Sequence, residues 1–156
     1  MTQQSDALDF REEILAFISR PVYPYLVTST AAGAPYLRPV ICVNDGFRVR
    51  MITRLASKKV QHIRRNPLVS LFWPSSEGAP PRSVMLQARI ELHPEAEAIA
   101  AFAEEYARKN PARTRAMPGA DGEVARVVLE ATPLLVRADG FRGFRPVILR
   151  GEALLP

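Results

Sequence analysis

The 156-residue sequence has one cysteine, one tryptophan and two histidines, and it contains no long apolar run. A single cysteine, Cys42, excludes an internal disulfide. The two histidines, His62 and His93, lie far apart, so the spacing of a zinc-ligand set is missing and no metal is expected. Crossing a bilayer takes about 18 consecutive apolar residues, and none are available. Met1–Asp9 is polar and acidic where a signal peptide is basic and then apolar. With the lone cysteine, this leads us to expect a cytoplasmic location. The glycine fingerprints of nucleotide-binding loops are missing. None of Ser70, Ser75 and Ser76 has the Gly-x-Ser-x-Gly context of a hydrolase nucleophile.

What remains is ordinary globular composition, 47% hydrophobic and 24% charged. A chain of this length buries roughly two-thirds of its unfolded surface, enough for one domain without covalent staples. Residues 1–8 read as a flexible tail and 9–156 as that single domain. The 21 Lys and Arg outnumber the 16 Asp and Glu, for a net charge of +5. Such a balance points to anionic partners: nucleic acid, an acidic surface or a phosphorylated small molecule.

Periodicity then orders the chain. Phe10, Ile14, Phe17 and Ile18 recur at helical spacing, and Pro21 and Pro24 stop that helix. Strands follow over Tyr25–Thr30, Tyr36–Asn44 and Phe47–Thr53, the last two joined by the hairpin signal Asn44-Asp45-Gly46. In Tyr36–Asn44, Leu37, Ile41 and Val43 share one face and Arg38, Val40 and Cys42 the other. Pro39 marks an edge or a bulge. Ser57 caps a helix to Asn66, and Leu68–Trp73 reads as a strand buried on both faces. Ser83–His93 alternates most cleanly, with Val84, Leu86, Ala88, Ile90 and Leu92 on one side. A helix over 94–109 carries a stripe of Ala96, Ile99, Ala100, Ala103 and Tyr106. Residues 110–122 read as a loop. Val124–Ala138 is strand-like and bent at Pro133, and Asp139-Gly140 turns into Phe141–Leu149. Short turns between the early strands exclude parallel crossovers. The expectation is therefore mainly β, a mostly antiparallel β-barrel with peripheral helices.

The chemistry concentrates at Ser57-Lys58-Lys59. A helix start carries partial positive charge and unpaired N–H groups, so cations in its first turn are disfavoured. Lys58 and Lys59 occupy that turn. A bound anion reverses the penalty, which makes this a candidate phosphate grip; the alternative is a solvated basic corner. Arg38 is a candidate third cation. Arg48, Arg50, Arg54, Arg64 and Arg65 could instead form a nucleic-acid patch or simply a solvated face. His62, one helical turn after Lys58, could sit near the phosphate but reads first as a surface histidine; His93 reads as a cap or solvent-facing, Trp73 as core and Cys42 as buried.

In order along the chain, Arg38-Pro39-Val40-Ile41, Met51-Ile52-Thr53, Ser57-Lys58-Lys59-Val60 and Asn66-Pro67-Leu68-Val69-Ser70-Leu71 resemble the pyridoxamine 5'-phosphate oxidase-like family of FMN-binding split barrels. The resemblance implies that Arg38 contacts the FMN phosphate, with Pro39, Val40 and Ile41 running along the flavin. It implies that Ile52 and Thr53 line the cofactor and that Ser57, Lys58 and Lys59 bind phosphate. The family's glutamine at the start of the following long strand falls at Ser83, a departure. FMN in the family lies between two subunits, so a homodimer is implied.

The resemblance further implies an FMN-dependent oxidoreductase with a nicotinamide or another small molecule as electron donor. No side chain stands out as catalytic acid or base, as expected when the ring carries the chemistry. The chain is shorter than the full vitamin oxidases and lacks their basic C-terminal pattern, so pyridoxamine phosphate is not the expected substrate. The alternative readings are a non-catalytic module binding flavin, deazaflavin or haem, and a basic nucleic-acid-binding protein.

Overall fold

A computed structural model describes residues 7–116 and 124–156. Its elements are α1 (Arg11–Ile18), β1 (Tyr25–Ser29), β2 (Pro35–Pro39), β3 (Cys42–Asp45), β4 (Arg48–Arg54), α2 (Lys58–Arg65), β5 (Leu68–Trp73), β6 (Ser83–His93), α3 (Ala96–Lys109), β7 (Arg126–Arg142) and β8 (Arg145–Leu149). Short 3-10 turns cover Pro111–Ala116 and Gly151–Leu154.

The strands form one antiparallel sheet in the order β2-β1-β5-β6-β7-β4-β3, with β8 added on β7. Its outermost strands, β2 and β3, are consecutive in the chain and joined only by Val40 and Ile41. Six strand spacings of about 4.8 Å would put the edges of a flat sheet roughly 29 Å apart, whereas such a link reaches about 10 Å. The sheet therefore curls until its edges meet. Among the described residues no ladder closes them, and a split barrel results.

The apolar residues expected on one side of β6 fill the barrel: Val84, Leu86, Ala88 and Ile90 are buried, with Val49, Met51, Leu71, Leu129 and Trp73 around them. From α1, Ile14, Phe17 and Ile18 pack against this core. A second cluster forms outside the barrel, where Phe102 and Tyr106 of α3 cover Val43, Ile52 and Val128. The expected α3 stripe is thus displaced, because Phe102 supplies the buried bulk while Ala96 and Ala100 face solvent.

Three further expectations change. The single strand over Tyr36–Asn44 breaks at Val40, whose N–H donates back to Pro24 O at 3.0 Å. The break resets the alternation, so Leu37 is 55% exposed while Val43 is buried. Pro39 ends β2 on a sheet edge, consistent with its lack of a ladder donor. β5 is buried on one face only, because Leu68 points outward from the barrel. Asp139-Gly140 is not the turn. β7 runs on to Arg142 through a bulge, and the hairpin tip is Gly143-Phe144.

Residues 1–6 of the expected tail and 117–122 of the expected loop lie outside the described residues. Ala7 is buried in the core, and residues 111–116 form a 3-10 turn.

Candidate functional site

The seam where β2 and β3 meet is also where β4 ends and α2 begins. β3 and β4 pair Cys42 with Met51, and one residue beyond that register Ile41 and Ile52 share the second cluster. Thr53 follows, buried, and pairs with Val127. Leu55 and Ala56 then turn the chain into α2, with the Ser57 N–H donating to Arg54 O at 3.1 Å.

Ser57 has the extended backbone of an N-cap (φ −72°, ψ 153°), and its carbonyl accepts from Val60 and Gln61. Its hydroxyl makes no capping bond: Oγ is buried without a hydrogen-bond partner. A buried hydroxyl left unpaired costs about 1–3 kcal/mol, so the arrangement calls for an acceptor. The amides of a helix's first turn likewise lack intrahelical acceptors. No acidic residue occupies that turn, where Lys58 is exposed and Lys59 half-buried.

Arg38 reaches this corner from β2, a proximity the sequence spacing alone did not establish. Burial pushes the Lys59 ammonium below its ordinary range, and the neighbouring Arg38 guanidinium pushes it further. Among the described residues, Arg38, Lys58 and Lys59 have no carboxylate partner, a property they share with Arg54, Arg64, Arg65 and Arg89, while Arg11, Arg20, Arg48, Arg50, Arg82, Lys109 and Arg137 are ion-paired. Two partly desolvated like charges with no acid between them suit a bound anion. Arg38 is held by Tyr36: its guanidinium lies 4.4 Å from the Tyr36 ring centroid and donates to the Tyr36 hydroxyl.

His62, expected at the surface, is instead buried. It faces inward beside Ile63, meets Thr28 Oγ1 through Nδ1 at 2.8 Å, and sets its ring edge-on to Tyr36 at 5.2 Å. Tyr36 did not stand out as a site residue in the sequence, although it lies two residues before Arg38 on one strand face; His62 did, through its place one helical turn after Lys58, but only behind the surface reading.

Arg38 and Pro39 end β2, Val40 and Ile41 form the link to β3, Ile52 and Thr53 lie near the end of β4, and Ser57, Lys58 and Lys59 open α2. Val40 is committed to the barrel core and Pro39 is exposed. Ser83 is placed elsewhere: it opens β6 opposite Asp139, with β1 and β5 between it and β2.

Other candidates are structurally accounted for. Trp73 is core. Arg48 and Arg50 are ion-paired with Glu130 and Glu105, which removes two arginines from the expected basic patch. His93, expected as a cap or solvent-facing, is partly buried and gathers with Glu91 and Glu130. There Glu130 is held by Arg48, and Glu95 also flanks His93. Among the described residues, no helix is long and apolar enough to cross a membrane.

Residues 10–138 match the sequence profile of the family described as pyridoxamine 5'-phosphate oxidase. No curated protein matches the chain in sequence. Among solved structures, a Clostridium acetobutylicum protein related to general stress protein 26, of the pyridoxinephosphate oxidase family, superposes with a TM-score of 0.73 at 14% identity, covering 95% of this chain and 99% of that one. An F420 reductase gives 0.61 at 22% identity, covering 78% and 93%. A haem-binding protein from Mycobacterium smegmatis gives 0.71 at 22% identity, and its match covers 95% of this chain but 59% of that protein. At these identities the likeness is one of fold.

Proposed function

The chain belongs to the pyridoxamine 5'-phosphate oxidase family, and from that premise we propose that it is an FMN-binding flavoprotein and an FMN-dependent oxidoreductase. The observation that carries the reading is the corner at the seam, where the start of α2 holds the unpartnered Ser57 hydroxyl and Lys59, and Arg38 reaches the same helix through Tyr36 and His62. These residues fit a phosphate. Lys59 and Arg38 supply charge, Ser57 Oγ a hydrogen bond, and the first turn of α2 its free amides. Ile41, Ile52 and Thr53 run along the same seam, and because the Ile52 side chain packs beneath α3 it is their main chain that would meet a ring.

When bound, FMN supplies the two-electron chemistry. The chain anchors its phosphate, orients the ring along β2–β4 and excludes water from one side. The electron donor in this reading is a nicotinamide or another small molecule, and the single half-buried Cys42 accords with a cytoplasmic setting.

A homodimer belongs to the same proposal. Residues paired across the ladders share one outward sheet face, where Leu37, Val27, Leu68, Phe72, Met85 and Ile148 are interspersed with Ser70, Gln87, Arg89 and Arg137. Leu37 is 55% and Leu68 45% exposed in one protomer. A second copy covering this face, about 800 Å² per partner, would bury them and complete the open side of the seam.

A deazaflavin phosphate would use the same cations, so the F420 reductase likeness keeps that alternative open. Haem is less well served: His62 is bound to Thr28 and His93 is flanked by Glu91 and Glu95. FMN titration under equilibrium dialysis, with the spectrum of the retained ligand, tests the reading. Saturable FMN binding supports it, and a retained haem or deazaflavin with no FMN uptake replaces it.

A further inference from the structure

Arg38 does not hold its own position. It rests on Tyr36 by a hydrogen bond to the hydroxyl and a cation–π contact. Tyr36 in turn is met edge-on by the His62 ring, the two planes at 90°. His62 is fixed by Thr28, which is buried and lies directly across the β1–β2 ladder from Tyr36. The four side chains form one connected brace. It begins in the barrel wall, passes through α2 and ends at a cation of the phosphate corner. A long arginine side chain loses much rotamer freedom when it is fixed, and a brace that fixes it beforehand removes that cost from ligand binding.

We propose that His62 is the positioning residue of this corner, acting through Tyr36 on Arg38. Held in this way, Arg38 gives the site its preference for a phosphorylated flavin over the same flavin without phosphate. The inference rests on the flavin reading above and adds its specificity determinant. His62 touches no ligand in this account.

The test compares FMN with riboflavin, which lacks the phosphate, by fluorescence titration of wild type and variants. Tyr36→Phe keeps the ring that His62 contacts and removes only the acceptor for Arg38. His62→Leu combined with Thr28→Val takes the ring edge away from Tyr36 and removes both partners of the buried hydrogen bond, so neither is orphaned. Each should lower FMN affinity about 5–20-fold while riboflavin affinity stays within about twofold. Combining all three substitutions should cost no more than the larger single effect, because they interrupt one chain. Thr28→Ser, which retains the hydroxyl, should behave as wild type.

Wild type that discriminates between the flavins while the variants discriminate equally well overturns this proposal and leaves the flavin reading intact. Parallel loss of both flavins also overturns it, since that marks a packing role. Wild type that binds neither flavin overturns the flavin reading and this proposal with it.

Discussion

Burial, and after it the neighbouring Arg38 guanidinium, hold the Lys59 ammonium below its ordinary range, although Arg38 stands on an edge strand and Lys59 in the first turn of a helix. Folding brings them together because the sheet must curl until β2 meets β3, which sets the edge of β2 beside the start of α2. Such a pair is costly in the empty protein, and an anion between them offsets the cost. The cationic corner is therefore a consequence of the topology, and the phosphate is its expected occupant.

Lys59→Ala should weaken FMN binding about 10–100-fold, the range for a charge-assisted hydrogen bond of about 1.5–3 kcal/mol. Lys58, which is exposed, should matter less when replaced by Ala. Binding titrations of the two variants side by side check the order.

The pH dependence follows from the direction of the Lys59 shift. Its pKa in the folded protein lies below the ordinary 10.5, so the unfolded chain binds more protons between the two values. Stability contributed by this group accordingly rises with pH across that alkaline window. FMN affinity runs the other way, falling as pH climbs through the lowered pKa and the ammonium is lost. Arg38→Leu should move the Lys59 pKa upward, which NMR titration of the lysine side chain reads directly.

Ser57→Ala separates ligand binding from folding. The hydroxyl is buried and unpaired, so removing it should leave the thermal midpoint of the ligand-free protein unchanged or raised. FMN affinity should still fall by about 1 kcal/mol, or roughly fivefold. Calorimetry without ligand and titration with FMN give the two halves of this prediction.

Legibility from the sequence tracked how local each signal was. The alternation of Ser83–His93 named the inner face correctly, and Asn44-Asp45-Gly46 marked a real hairpin, with Gly46 at φ +56°. Four ordered motifs gave the family. Arg38 and Lys59 were both legible as candidates, but their meeting was not, since it depends on how the whole sheet closes. His62 was misread because an imidazole on a basic helix looks solvent-facing until Thr28 and Tyr36, from other strands, are packed against it. Asp139-Gly140 looked like a turn because a glycine at positive φ serves turns and bulges alike.

That glycine carries a prediction of its own. Gly140 sits at φ +79°, and a Cβ there would lie 2.7 Å from the Pro81 carbonyl oxygen. Gly140→Ala should destabilise the fold by about 2–4 kcal/mol through strain and backbone collision together. Chemical denaturation should show the lower midpoint, whereas Gly143→Ala, where no atom lies within 4 Å, should cost less.

Cys42 should be inert in the native state. Burial pushes its thiol up to about 12, with Lys109 offsetting only part of the effect. At pH 8 a thiol-reactive dye should label the folded protein far more slowly than the unfolded chain.

The most direct test of the central claim is the visible spectrum of the purified protein after incubation with FMN and removal of the unbound excess. Flavin bands retained by wild type, and lost when Arg38 and Lys59 are both replaced by Ala, are the predicted result. Wild type that emerges colourless, or a double variant that keeps FMN as firmly as wild type, would contradict the assignment of this corner.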